Sequence, residues 1–321
     1  MGRYTSNTSN TELVIVNTVA QANVVTHPAP HHGDETTAVA ILGVLEDRVS
    51  VYRTRNLKDI EEATSNDAYI VDVGGVFDPE AGRFDHHQRE YSEMRPDGTQ
   101  YSSAGLIWNK YGVEACLALT DCTREQAQEA AAKVDDMLIK GIDSADYGIR
   151  TRDQMSVSTA ISLLNPNWDE AADESFVEAC QLAHLVLTRT IKSCVAEVKG
   201  RDTVEAAIQA AEDGIMVLPQ FIGGWVQTVL ATTNPKGEEL LYGVFRNLQG
   251  QWNVQAIPPV GAPQAQRKPL PEAWRGLNGA ALAEVTGVED AVFCHAGRFI
   301  CGAKSREGAL RLAAAAVKAA S

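Results

Sequence analysis

From residue 12 to residue 164 the chain alternates short runs rich in Val and Ile with stretches of helical periodicity, and that alternation confines it to few folds. Strands are expected at Glu12 to Thr18, Asn23 to Thr26, Val49 to Arg53 and Ala68 to Val73. Helices are expected at Asp34 to Leu45, Ser102 to Lys110, Arg124 to Ile142 and Val157 to Leu164. Parallel pairing needs a crossover long enough to hold a helix, so this order predicts an α/β domain with a mainly parallel sheet covered on both faces. After Pro166, Glu170 to Val198 reads as one long connecting helix, with Phe176, Cys180, Leu187 and Ile191 near one face. Beyond Gly214 come β-like runs at Ile215 to Leu218, Val226 to Thr232, Leu240 to Phe245 and Trp252 to Ala256. A Pro-rich bend, a strand at Ala291 to His295 and an Ala-rich helix at Ser305 to Ala320 close a smaller α+β domain. At 321 residues the chain exceeds what one core usually fills. The expected division is an N-terminal extension offering a first strand (1–21), an α/β domain (22–165), a helical connector (166–213) and a C-terminal domain (214–321).

Charge is unevenly spread. The whole chain carries −14, while residues 264–321 hold eight Lys or Arg against five Asp or Glu, a net of +3 that leaves −17 in front of them. An acidic whole argues against nonspecific coating of nucleic acid, and the split suits a cation site in front and an anion site behind. The six cysteines show no Cys-x-x-Cys spacing and read as free thiols. No apolar run approaches a bilayer span, and the first twenty residues carry only Arg3 as a base and no apolar block, so no membrane association and a cytoplasmic location are expected. Met1-Gly2 with Ser6 matches a bare myristoylation pattern, followed by a polar tail from Asn7 to Asn10.

Side chains that carry chemistry concentrate where strands end, which is where open α/β sheets bind ligands. One cluster is Thr26-His27-Pro28-Ala29-Pro30-His31-His32-Gly33-Asp34-Glu35. A second runs from Asp72-Val73-Gly74-Gly75 through Asp78-Pro79 to Asp85-His86-His87-Gln88-Arg89, and a third is Gly141-Ile142-Asp143-Ser144-Ala145-Asp146-Tyr147-Gly148. His27, His31, His32, His86 and His87 are five of the seven histidines in the chain. Imidazole beside carboxylate, with no thiolate, suits Mn²⁺, Zn²⁺, Co²⁺ or Mg²⁺ and disfavours iron–sulfur chemistry. Convergence of this kind can hold two metals roughly 4 Å apart, which clamp the attacking and leaving oxygens of phosphoryl transfer. Asp72, on a rigid central strand, is the candidate bridge. Asp34 is equally placed to cap a helix, and Asp78 to form a turn before Pro79.

The motifs Val71-Asp72-Val73-Gly74-Gly75, Asp85-His86-His87-Gln88-Arg89 and Ser102-Ser103-Ala104-Gly105-Leu106-Ile107 resemble those of the DHH phosphoesterase superfamily, in its Myg (melanocyte proliferating gene) branch of RecJ-like exonucleases. The likeness continues through Ile142-Asp143-Ser144-Ala145-Asp146, Trp252-Asn253-Val254-Gln255-Ala256 and Arg267-Lys268-Pro269-Leu270-Pro271-Glu272-Ala273-Trp274-Arg275-Gly276-Leu277 to His295-Ala296-Gly297-Arg298-Phe299-Ile300 and Lys304-Ser305-Arg306-Glu307-Gly308-Ala309-Leu310. The resemblance implies a DHH-type α/β domain holding two divalent ions, usually Mn²⁺, and a smaller C-terminal α+β substrate-binding domain across a cleft. It implies a metal set of His27, His32, Asp34, Asp72 and His86, with Asp146 or Asp143 completing the second metal, and a catalytic set of His87, Asp85 and Asp72 in which His87 faces the scissile phosphate. One departure stands out: where the branch has His-Asn-Gly-x-Phe-His-x-Asp-Glu, this chain has Pro28, Ala29 and His31; the two prolines, Pro28 and Pro30, stiffen the loop, and His31 is offered as an added ligand.

The resemblance further implies a 3′–5′ RNA exonuclease working by two-metal hydrolysis of a phosphodiester, with single-stranded RNA or a short oligonucleotide as partner. A homo-oligomer is compatible with it. Arg267, Lys268, Arg275, His295, Arg298, Lys304 and Arg306 are the expected donors to substrate phosphates or hydroxyls. Two other readings are a hydrolase of small nucleotides or pyrophosphate, and a silent nucleotide-binding module that has kept the scaffold.

Overall fold

The computed structural model describes residues 11–149, 155–170 and 172–319, so the myristoylation pattern and the tail from Asn7 to Asn10 lie outside the described residues. The chain separates into two compact units, 1–195 and 196–321. Among the described residues no helix is long and apolar enough to cross a membrane.

The first unit runs β1 (Glu12–Ile15), β2 (Val24–Thr26), α1 (Gly33–Leu45), β3 (Arg48–Arg53), α2 (Leu57–Ser65), β4 (Tyr69–Val71), β5 (Phe77–Asp78), β6 (Arg83–Phe84), α3 (Ser103–Leu119), α4 (Arg124–Val134), α5 (Lys140–Asp146) and α6 (Val157–Ser162). Its sheet has the order β1-β3-β2-β4-β6-β5, parallel throughout except for β5 against β6. Val25 and Ile70 point to one face, where Ile60 and Ala63 of α2 cover them. On the other side α1 packs on α3, α5 and α6, and residues Gly33 through Val44 are all buried. A helix buried on every side carries no amphipathic stripe, which is why Ala, Val, Ile and Leu follow one another along it. The expected helix from Arg124 to Ile142 is interrupted by a wider π-type turn at Asp135–Ile139 before α5 begins. α2 and the short β5–β6 ribbon were not expected from the sequence.

Helix α7 (Ala172–Gln209) is the long helix expected after Pro166, and the boundary between the units falls within it. The second unit continues with β7 (Ile215–Leu218), α8 (Trp225–Ala231), α9 (Lys236–Glu239), β8 (Tyr242–Arg246), β9 (Trp252–Ala256), α10 (Gly279–Thr286), β10 (Ala291–Cys294), β11 (Ile300–Ala303) and α11 (Arg306–Lys318). Its sheet order is β10-β11-β9-β8-β7. Tyr242 and Val244 join Leu312 and Ala316 of α11 in one core, while Met216, Leu218 and Phe245 join Val204 and Ile208 of α7 in another. The strand expected at Val226 to Thr232 is the helix α8. Its β-branched residues favour a strand locally, but Trp225 and Val229, four residues apart, are both buried in the second core, and this packing overrides propensity. Trp225 lies so close over Gly243 that an added Cβ there would meet the indole at 2.6 Å.

Tight packing also locks the start of α3 against α5. A Cβ on Gly105 would fall 2.1 Å from Asp143 Oδ2 and 2.8 Å from the Tyr101 ring. Gly105→Ala should therefore lower the unfolding free energy by about 1–3 kcal/mol, the usual cost of overpacking. A urea midpoint unchanged from wild type would show that this contact is loose.

Candidate metal centre

Strand β2 lies between β3 and β4, and the chain leaves β2 toward one side and returns through β4 on the other, which makes the carboxyl end of β2 a topological switch point. Three adjacent strands deliver their next residues there. His27 follows β2, Asp72 follows β4, and Asp85-His86-His87 follows β6. Asp72 sits in the left-handed region with φ 56°, a conformation costing a non-glycine residue about 1–3 kcal/mol, and Gly74 and Gly75 at φ 93° and 66° complete the turn. The first turn of α1 adds Asp34 and Glu35, and the last residue of α5 adds Asp146.

The side chains form three overlapping groups of ligand atoms within 4.8 Å of one another: His27, His32, Glu35 and Asp72; Asp34, His86 and Asp146; and Asp72, Asp85, His86 and His87. Asp72 belongs to two of them. Its Oδ2 lies 3.2 Å from His27 Nε2, and its Oδ1 lies 3.3 Å from His86 Nε2 and 3.4 Å from His87 Nδ1. His86 Nε2 is also 3.5 Å from Asp34 Oδ2 and 3.3 Å from Asp146 Oδ2. The other nitrogen of each buried ring is committed: His27 Nδ1 donates to Pro28 O at 2.7 Å, and His86 Nδ1 to the Tyr147 hydroxyl at 3.0 Å. Both rings thus present Nε2 to the carboxylates, the outer-shell arrangement that orients metal-binding histidine.

Burying so many acids in one place needs positive charge. Asp34, Glu35, Asp72 and Asp85 are each at most 3% exposed. Burial is the largest influence on His27 and lowers its pKa, but hydrogen bonds to Asp72 and Glu35 outweigh it and hold the group at about 10. His86 behaves alike: burial lowers it, and the nearby carboxylates of Asp34 and Asp72 raise it to about 12. Burial, then the neighbouring Asp34, push Asp146 up to about 7. Without an ion, protons on the imidazoles balance the carboxylates. His86 Nε2 and Asp72 Oδ1 nevertheless remain buried without completing a hydrogen bond. Orphaned atoms aimed into one space, on a set of imidazoles and carboxylates, fit a divalent cation.

A second layer holds Asp34. Its carboxylate accepts Ser102 Oγ at 2.6 Å and the amides of Ser103 and Ala104 at 3.0 and 2.6 Å, so it caps α3 rather than its own helix. Ser102 Oγ also lies 2.6 Å from Asp143 Oδ1, while Asp143 Oδ2 faces Arg95 Nη1 at 2.7 Å. Arg95 in turn grips Asp135 through two bonds. Asp143, expected in the metal set, therefore pairs with Arg95 and stands outside the three groups, whereas Asp146, one turn on, is inside. His31 is also outside them. Its ring lies edge-on to Phe176 at 6.0 Å, and burial lowers its pKa to about 4. Asp78 accepts from the Glu80 and Ala81 amides and forms the turn before Pro79.

Three residues missed in the sequence matter here. Glu35 lies beside His27 at 3.4 Å and accepts the His32 amide. Tyr147 steers His86. Arg55 lines the cleft of about 290 Å³ that also contains His27, Asp34, Asp72, His87 and Asp146. Only the Asp34-Glu35 and Asp146-Tyr147 adjacency hinted at the first two. In the second unit Arg267 donates to the carbonyls of Gly237, Glu238 and Leu240, and Lys268 to those of Val317 and Ala319, so their donors are spent on helix ends. Arg275 and Arg298 both pair with Glu272, His295 Nδ1 accepts the Gly297 amide, Arg306 lies over Trp252, and Lys304 is exposed.

An α/β unit with a buried His–carboxylate centre at its switch point is built as a divalent-metal protein. The MYG1_exonuc family model, described as an uncharacterised protein family (UPF0160), matches residues 23–317. This chain belongs to that family. It is 30% identical to the human MYG1 exonuclease over 92% of this chain and 86% of the human one. It is 31% identical to a Schizosaccharomyces pombe MYG1 protein over 90% and 95%, and 29% identical to the Dictyostelium discoideum MYG1 protein over 92% and 96%. The solved structure of a pGpG-specific phosphodiesterase from Vibrio cholerae covers 92% of this chain and 97% of its own at 14% identity, with a TM-score of 0.28.

The protonated histidines set a pH dependence. A divalent ion needs neutral imidazole, so an ion held by His27 and His86 would displace protons from them wherever the pH lies below their raised values. Affinity for Mn²⁺ should climb from pH 6 to pH 9, by up to about tenfold per pH unit for each proton displaced. Calorimetry in buffers of different ionisation enthalpy reads that release, and a pH-independent affinity with no protons released would contradict the charge balance described.

Proposed function

We propose that this chain is a divalent-metal-dependent phosphodiesterase, and more finely a 3′–5′ exonuclease acting on single-stranded RNA with two ions, Mn²⁺ first among them. The observation that carries the reading is Asp72, whose two oxygens face imidazoles of different ligand groups at 3.2 and 3.3 Å. His27, His32 and Glu35 would hold one ion with Asp72, and Asp34, His86 and Asp146 the other. Divalent ions bound there lower the pKa of water and offset charge on phosphoryl oxygens.

His87 has a separate part. Its Nδ1 donates to Asp85 Oδ1 at 2.8 Å, and Asp85 is itself fixed by the amides of Gly75, His86 and His87. With Nδ1 engaged, Nε2 is the free nitrogen of a ring that is 61% exposed and lines the metal cleft. The bond to Asp85 is the largest influence on His87 and raises its pKa, which favours the protonated ring as a proton donor toward a phosphate or leaving oxygen. Arg55, on the same cleft, is a further donor to phosphate. Arg275, His295, Arg298, Lys304 and Arg306 are the proposed contacts of the second unit with the chain of the substrate. Exonuclease names among the relatives favour a polynucleotide over pyrophosphate, and RNA and polarity come from the family resemblance.

Incubating the protein with Mn²⁺ and end-labelled RNA, DNA, dinucleotides and pyrophosphate tests the reading; turnover of pyrophosphate alone would replace it with a small-anhydride hydrolase. Asp72→Asn should remove more activity than the roughly 10–100-fold typical of an outer-shell partner, and metal content should fall with it. His86→Ala should lose metal, whereas His87→Ala should keep metal and lower kcat by about 10²–10⁴. Metal analysis giving the reverse for the pair would exchange their roles.

A further inference from the structure

The second unit contains a cavity of about 570 Å³ whose walls include Phe221, Trp225, Gln227, Gln255, Gly297 and Phe299. No ionisable side chain lines it, in a chain with 22% charged residues. Phosphate, a metal ion or a charged peptide would have to shed water there without a counter-charge, which is costly. A neutral molecule avoids that cost. Phe221 and Phe299 are 50% and 38% exposed, and each ring is backed by another, Phe221 by Phe245 at 5.4 Å and Phe299 by the His295 imidazole at 4.5 Å. Backing holds an exposed ring in place and lowers the entropy lost when something stacks on it. Beside them the side-chain amides of Gln227 and Gln255 make no hydrogen bond to any described residue, leaving two donor–acceptor pairs free at the wall.

We propose that this cavity binds a nucleobase. A base is neutral and planar and carries donors and acceptors along its edge, so it can stack on a phenylalanine while a glutamine amide reads that edge. Pyrophosphate has no planar face to stack on these rings, and its charge would meet no cation in this lining. The inference rests on the reading of this chain as an enzyme of nucleotide chains and adds which part of the substrate the second unit holds. Stacking tolerates every base, so the site selects nucleic acid over other phosphate compounds more than one sequence over another.

The test uses the full-length protein in EDTA, titrated separately with adenosine, uridine and ribose, and followed by saturation-transfer NMR. Both nucleosides should bind and ribose should not. Phe221→Ala or Phe299→Ala should weaken adenosine by at least about fivefold, the low end of base–aromatic stacking, while Phe299→Trp should retain it. No nucleoside binding, ribose binding as well as adenosine, or unchanged affinity in both alanine variants would overturn the site. The two claims fail separately. RNA hydrolysis with Mn²⁺ at unchanged KM in both alanine variants removes the nucleobase site and leaves the nuclease, whereas stacking-dependent nucleoside binding without hydrolysis of any phosphodiester keeps the site and removes the nuclease.

Discussion

Several carboxylates are buried at one spot in the first unit with too few protein cations to balance them, and the rest of that unit is arranged around this imbalance. Arg95 neutralises Asp143 and Asp135. For Asp34, Glu35 and Asp72 the partners are imidazoles, which carry charge only while protonated. Desolvating each ion costs several kcal/mol, against about 1.5–3 kcal/mol for each charged hydrogen bond. A centre balanced by removable protons exchanges them for a divalent ion without leaving an uncompensated charge, whereas a centre built on arginine could not.

The scaffold makes the imbalance tolerable by rigidity. Three neighbouring parallel strands end at the same level, so His27, Asp72 and Asp85 start from backbone already held in a sheet. Asp72 accepts a left-handed conformation there, and that strain is borne by the ladder of β4, whose Ile70 and Val71 are fully buried. Asp34 is tied to the start of α3 by two amides and a hydroxyl, which couples the packing of α1 on α3 to the position of a candidate ligand. Glycine at position 105 is the condition for the approach of Asp143, on α5, to the same helix start.

The second unit uses charge differently. Its basic side chains are divided between structure and surface. Arg267 and Lys268 close the carbonyl ends of α9 and α11, and Arg298 is bonded to Leu270 and Glu272. The cavity beside Phe221 and Phe299 has no charge at all. Net charge along a sequence counts these cations equally, although a guanidinium spent on three carbonyls offers little to a phosphate.

How much of this was readable beforehand differs from residue to residue. The alternation of β and helical runs pointed to a parallel sheet with α1 as the crossover from β2 to β3, and the ends of the expected strands carried His27 and Asp72, whereas the crossover α2 and the β5–β6 ribbon that leads to His86 were not legible there. Histidines crowded at strand ends announced a centre because few other uses bring so many together. What the sequence lacked was depth and direction. Asp143 and Asp146 look alike in the string, yet they lie three residues apart on α5, where a turn of helix sends one to Arg95 and the other to His86. Glu35 reads as an ordinary first-turn acid and becomes a ligand candidate only because α1 is buried with its start at the switch point. Val226 to Thr232 reads as a strand and folds as a helix because Trp225 and Val229 meet a core assembled from α7 and β8. Period and residue type are local and survive in a sequence. Which face is buried, and which cation reaches which carboxylate, are decided by contacts between segments far apart in the chain, and only the tertiary structure brings those together.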